Sequence, residues 1–109
     1  MTRQAVKTLV ESFGLPYAYY QFKEGTQQAP PYIIFFYSEN RDVYADNSNY
    51  IDKEQLNIEL YTKIRDFDLE KTIEDTLKLN GFSYYKEYSF IDSENIWQIA
   101  YEMEVIINE

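Results

Sequence analysis

The sequence predicts an α+β fold: a single, mostly antiparallel sheet flanked by two helices, in the order α-β-β-β-α-β-β. Three observations carry this. From Gln55 to Ile64 apolar and polar residues alternate strictly, the mark of a strand with one buried and one wetter face. Just behind it, Leu69, Ile73 and Leu77 recur at helical spacing. From Phe82 to Ile107 two more alternating runs flank a short polar turn, the pattern of a β-hairpin. Strands grouped in adjacent runs pair mostly antiparallel and leave the helices to one face.

Thr2 is placed to cap a first helix, whose apolar face is Val6, Leu9, Val10 and Phe13. Gly14 ends it and Pro16 prevents its return. Leu15 to Phe22 can run extended, and the polar stretch from Lys23 to Ala29, with Gly25 inside it, reads as a loop. After Pro30-Pro31, the run YIIFFYSE reads as a strand buried on both faces. A short strand is expected over Asp42 to Ala45. Asp46, Asn47, Ser48 and Asn49 then favour a turn, because their side chains bond their own backbone.

In the long strand Leu56, Ile58, Leu60, Thr62 and Ile64 should point inward, with Gln55, Asn57, Glu59, Tyr61 and Lys63 outward. Asp66 or Asp68 caps the second helix, and Asp68 and Glu70 suit its positive end. Each large aliphatic of its stripe is worth roughly 1.5–3 kcal/mol when buried. Asn80-Gly81 stops the helix. In the hairpin Phe82, Tyr84, Lys86, Tyr88 and Phe90 share one face. Asp92 to Asn95 turn the chain, and Trp97, Ile99, Tyr101, Met103, Val105 and Ile107 share a face of the last strand.

At 109 residues, 45% of them hydrophobic, residues 1–109 read as a single domain with one core. With 10 basic and 19 acidic residues the net charge is −9, which opposes binding a nucleic-acid backbone over a broad face. The arginines, Arg3, Arg41 and Arg65, are far apart in sequence. An acidic surface can also imitate DNA, and that reading stays open. There is no cysteine and no histidine, so disulfides, zinc–thiolate sites, thiol nucleophiles and histidine general bases are excluded. Met1 to Phe13 lacks a long apolar run and is not expected to be a signal peptide. The longest apolar run, Tyr32 to Tyr37, falls far short of the ~20 residues that span a bilayer, so a soluble protein is expected.

Carboxylates are the plentiful reactive group. Glu59 and Lys63 suggest a metal-dependent nuclease pair, but four residues of strand separate them by roughly 13 Å, and solvated outer-face residues are the simpler reading. Asp42, Asp46 and Asp52 could offer oxygen ligands to Ca²⁺ or Mg²⁺, yet the EF-hand order is absent and Asx-turn chemistry explains them more simply. Glu70, Glu74 and Asp75 read as the exposed side of the second helix, with like charges at i,i+4. Of the 12 tyrosines some must be core, and any that are exposed suit a protein interface; core alone and core plus interface both stay open. With glycine only at positions 14, 25 and 81, no phosphate-cradling loop exists. No catalytic, cofactor-binding or metal site is assigned.

Four stretches together, GLPYAYYQFKE, PPYIIFFYSENRDVYADNSNY, NIELYTKIRDFDLEKTIEDTL and IWQIAYEMEVI, resemble the small tail-terminator, or tail-completion, proteins of long-tailed phages and prophages of Gram-positive bacteria. The resemblance runs from about Leu9 to Ile107 and rests on YADN, ELYTK, an acidic LEK…E helix and a terminal YE.E strand in combination. It implies one antiparallel sheet flanked by helices, no enzymatic activity and no cofactor. It implies a homo-oligomeric ring, typically a hexamer, that caps the completed tail tube, stops polymerisation and presents the head-docking surface. Its partners would be other copies, the tail tube protein and the head–tail connector, with DNA passing through the bore unbound and no membrane. Its place would be the virion tail, after assembly in the host cytoplasm. Within that reading Tyr44, Asp46, Asn47, Asn49, Tyr50 and Asp52 are the candidate ring or tube interface, because polar turn chemistry there sits beside aromatic rings. Two alternatives remain: a head-side connector or stopper ring, and an acidic DNA-mimic inhibitor of a host nuclease.

Overall fold

In a computed structural model of the chain the described residues are 1–40, 43–45 and 48–109, the side chains of 39–51 excepted. Helix α1 spans Arg3–Glu11 and is followed by strand β1, Tyr17–Tyr19, and strand β2, Tyr32–Asn40. Strands β3, Val43–Ala45, and β4, Ser48–Ile51, come next, then β5, Lys53–Thr62. Helix α2, Phe67–Leu79, leads to β6, Tyr84–Ile91, and β7, Ile96–Ile106. The fold is α+β, with one five-stranded sheet ordered β1-β2-β5-β7-β6 and a two-stranded sheet of β3 and β4.

Two features correct the expected order α-β-β-β-α-β-β. The main sheet is mixed, because β1 runs parallel to β2 while β2, β5, β7 and β6 pair antiparallel. There are also two more strands before α2 than expected. Part of Leu15 to Phe22 pairs as β1, and β4 occupies the stretch assigned to a turn. Val43 stands opposite Ile51 and Tyr44 opposite Asn49, so the hairpin returns through residues whose Asx neighbours hid it.

Local chemistry sets the helix ends. The Thr2 hydroxyl accepts from Ala5 N–H at 3.0 Å, and Val6, Leu9 and Val10 of α1 are buried. Asp66, not Asp68, caps α2 by accepting from Leu69 N–H at 3.0 Å. At the other end Phe82 N–H donates to the Leu77 carbonyl and Gly81 N–H to the Lys78 carbonyl. That is a Schellman closure, with Gly81 at φ +82°.

Both helices pack on the face bearing Ile33, Phe35, Leu56, Ile58, Leu60, Ile99, Tyr101 and Met103, and Ile73 and Leu77 complete this core. Ile64 departs from expectation: β5 ends at Thr62, and Ile64 lies past it, 78% exposed. Asn57, placed outward, is buried and donates to the Ser38 hydroxyl at 2.7 Å. Among the described residues no helix covers the opposite face. The radius of gyration, 15.0 Å, exceeds the roughly 13 Å of a compact chain this long, in keeping with extents of 50 × 31 × 23 Å.

Candidate functional site

The predicted interface residues fall in three places. Tyr44 lies on β3 and Asn49 and Tyr50 on β4, so one small hairpin between β2 and β5 brings these three together. Asp46 and Asn47 lie outside the described residues, as does Asp42 of the considered acidic cluster. Asp52 is exposed where the hairpin rejoins the sheet, and its carbonyl accepts from Ile107 N–H at 2.9 Å.

The strongest electrostatic feature lies under α2. Arg65 Nε and Nη2 each donate to the Glu70 carboxylate at 2.9 Å. Lys86 Nζ reaches Glu70 Oε1 at 2.9 Å and Glu74 Oε2 at 2.7 Å, and the Tyr101 hydroxyl donates to Glu74 Oε2 at 2.7 Å. Glu70 is 1% exposed, which corrects the expectation of a solvated Glu70–Glu74–Asp75 face; Asp75 alone of the three is exposed, and it pairs with Lys71. Burial by itself would raise the Glu70 pKa, but hydrogen bonds from Arg65 and Lys86 outweigh it and hold the carboxyl below its usual range. Lys86 is raised: burial works against its charge, and Glu74 and Glu70 overcome that. Sequence reasoning missed this cluster, although Lys86 on an apolar strand face was the clue that an anion must meet it.

The Arg65 guanidinium also lies over three rings, 4.3 Å from the centroid of Tyr88, 4.7 Å from Phe67 and 5.4 Å from Trp97. Ile64, Phe67, Tyr88 and Phe90 around it are exposed. Paired behind and stacked in front, the cation is a fixed part of this end of the molecule.

On the open sheet face the register aligns Ile34, Glu59, Ala100 and Glu87 across four strands, and Phe36, Asn57, Glu102 and Tyr85 beside them. Gln98 Nε2 donates to Tyr61 Oη at 2.7 Å, Tyr61 donates to Glu59 Oε1 at 2.9 Å, and Tyr32 stacks on Tyr61 at 4.9 Å. Glu59 is thus half-buried rather than freely solvated, and burial raises its pKa against the Tyr61 hydrogen bond. Lys63 lies beyond the end of β5 and is exposed, so the two do not form a nuclease pair. Among the described residues no three acidic side chains converge as a metal site requires. A groove of about 920 Å³ lies between α1 and the β1–β2 edge and is lined by Arg3, Lys7, Tyr17, Tyr19, Tyr37 and Glu54. It is open and aromatic, suited to contact rather than to a shielded reaction. No protein family and no curated protein matches the chain.

Proposed function

We propose that the chain is a non-enzymatic assembly protein, the subunit of an oligomeric ring that caps a finished phage or prophage tail tube. Such a ring stops polymerisation and offers the surface on which the head docks. One structural observation supports the reading above others: a sheet covered by both helices on one side, with Glu59, Glu87, Glu102 and Glu104 along the other, where no helix lies among the described residues. On a chain of charge −9, a face of that kind repels phosphates and lets DNA pass without sticking. The stretch that carries Tyr44, Asp46, Asn47, Asn49, Tyr50 and Asp52, which includes strands β3 and β4, is the segment assigned to the neighbouring subunit or the tube.

The direct test mixes the purified chain with its cognate tail-tube protein during polymerisation and images the products. Tubes that stop short, each ended by a ring of six-fold symmetry, are expected. Tubes of unchanged length with bare ends would overturn the reading. Binding to a basic host nuclease instead, lost steeply with salt, would favour the DNA-mimic alternative.

A further inference from the structure

Strand β6 forms one border of the sheet and, among the described residues, pairs with β7 alone. It is eight residues long, whereas β1 at the other border has three. Edge strands normally resist chance pairing by being short, bulged or charged. β6 is neither short nor bulged, and Glu87 is its one exposed charge. Its register with β7 is unbroken from Tyr84 to Ile91. Its lysine is turned inward to Glu70 and Glu74. Tyr85, Tyr88 and Phe90 are 66%, 60% and 39% exposed. Its outer N–H and C=O groups are matched by one kind of occupant, another extended chain.

We propose that this occupant is a second copy: β6 pairs antiparallel with β6 of its partner about a two-fold axis through Tyr88. Such an axis stands perpendicular to the joined sheet and preserves its faces, so even-numbered residues oppose even and odd oppose odd. Few registers remain, and charge chooses among them. Centring on Glu87 sets carboxylate on carboxylate, and centring on Lys86 sets ammonium on ammonium. Centring on Ser89 leaves only 87–91 overlapping, where centring on Tyr88 joins 85–91. In that last register Tyr88 meets Tyr88, Lys86 meets Phe90, Glu87 meets Ser89 and Tyr85 meets Ile91. No like charges are opposed, and each aromatic ring finds an aromatic, cationic or aliphatic neighbour. The helices of both copies then lie on the same face of one continuous sheet. The contact is isologous and closes at two copies, so it stands independently of the ring reading.

Sedimentation of the full chain over a range of concentrations tests this, with Ser89→Glu and Ser89→Lys as paired variants at an exposed position. A monomer–dimer equilibrium is expected. Ser89→Glu, opposed to Glu87 twice per dimer, should weaken it by about tenfold, and Ser89→Lys should strengthen it by a similar factor. Tyr88→Cys should cross-link the dimer on oxidation, since residues facing each other on a dyad lie within disulfide reach. A chain that is monomeric at every concentration, or an assembly indifferent to the sign of charge at position 89, would overturn the proposal.

Discussion

Arg65 grips Glu70 through two parallel hydrogen bonds of 2.9 Å, and the carboxylate so held is almost fully buried beneath α2. The pair ties the turn after β5 to the first turn of α2, and Lys86 extends the tie to β6. Removing one partner from such a group leaves an uncompensated buried charge, which costs far more than the intact pair contributes. Glu70→Gln should therefore destabilise the fold by about 3 kcal/mol in urea denaturation. Replacing Arg65, Glu70 and Lys86 together by Met, Leu and Met should cost much less.

The same carboxylate sets an acid limit. The folded pKa of Glu70 is depressed, so its contribution is complete above the unfolded value, about 4.3, and is lost as pH falls through the folded value. Glu59 has the opposite sign: its folded pKa is raised by burial, so its charge opposes folding at neutral pH and stops doing so on protonation. The stability gap between native protein and Glu70→Gln should shrink as pH falls below the unfolded value of about 4.3. Glu59→Gln should be neutral or stabilising at pH 7 and should lose that advantage in acid. Urea midpoints measured across this range check both.

Helix α2 is held at its ends by backbone chemistry. Gly81 has φ +82°, and a Cβ there would meet nothing within 4 Å, so Gly81→Ala should cost about 1 kcal/mol through conformation alone. Asp66→Ala removes the cap on Leu69 and should cost about 1 kcal/mol as well. Leu77→Ala, at a fully buried site, should cost about 2–5 kcal/mol by opening a cavity. Thermal unfolding of the three variants should rank Leu77→Ala well below the other two.

The hairpin assignment has its own check. Reversing the charge of Asp46 and Asp52 should block tail assembly in a phage carrying the variant while leaving the purified protein folded. Assembly of normal tails by that variant would remove the β3–β4 segment from the interface.

Much of this fold was legible because its signals were periodic. Strict alternation marked β5 and β7, and Leu69, Ile73, Leu77 and Gly81 marked α2 and its end. What escaped was set by partners rather than by local pattern. Tyr17–Tyr19 became a strand because β2 lies alongside it. Ser48–Ile51 became one because Val43–Ala45 pairs with it, although Asx residues nearby favour turns. Ile64 continued the alternation past the point where β5 actually stops. Glu70 looked like one more surface carboxylate until Arg65 and Lys86 were seen to converge on it. Of the candidate interface residues, the hairpin that sets Tyr44 opposite Asn49 was hidden for the same reason.

The most direct measurement is electron microscopy of particles from a source phage or prophage lacking this gene. Overlong tubes without attached heads are the expected result. Filled or leaking heads beside tails of normal length would shift the protein to the head-side connector, and normal infectious particles would contradict an assembly role altogether.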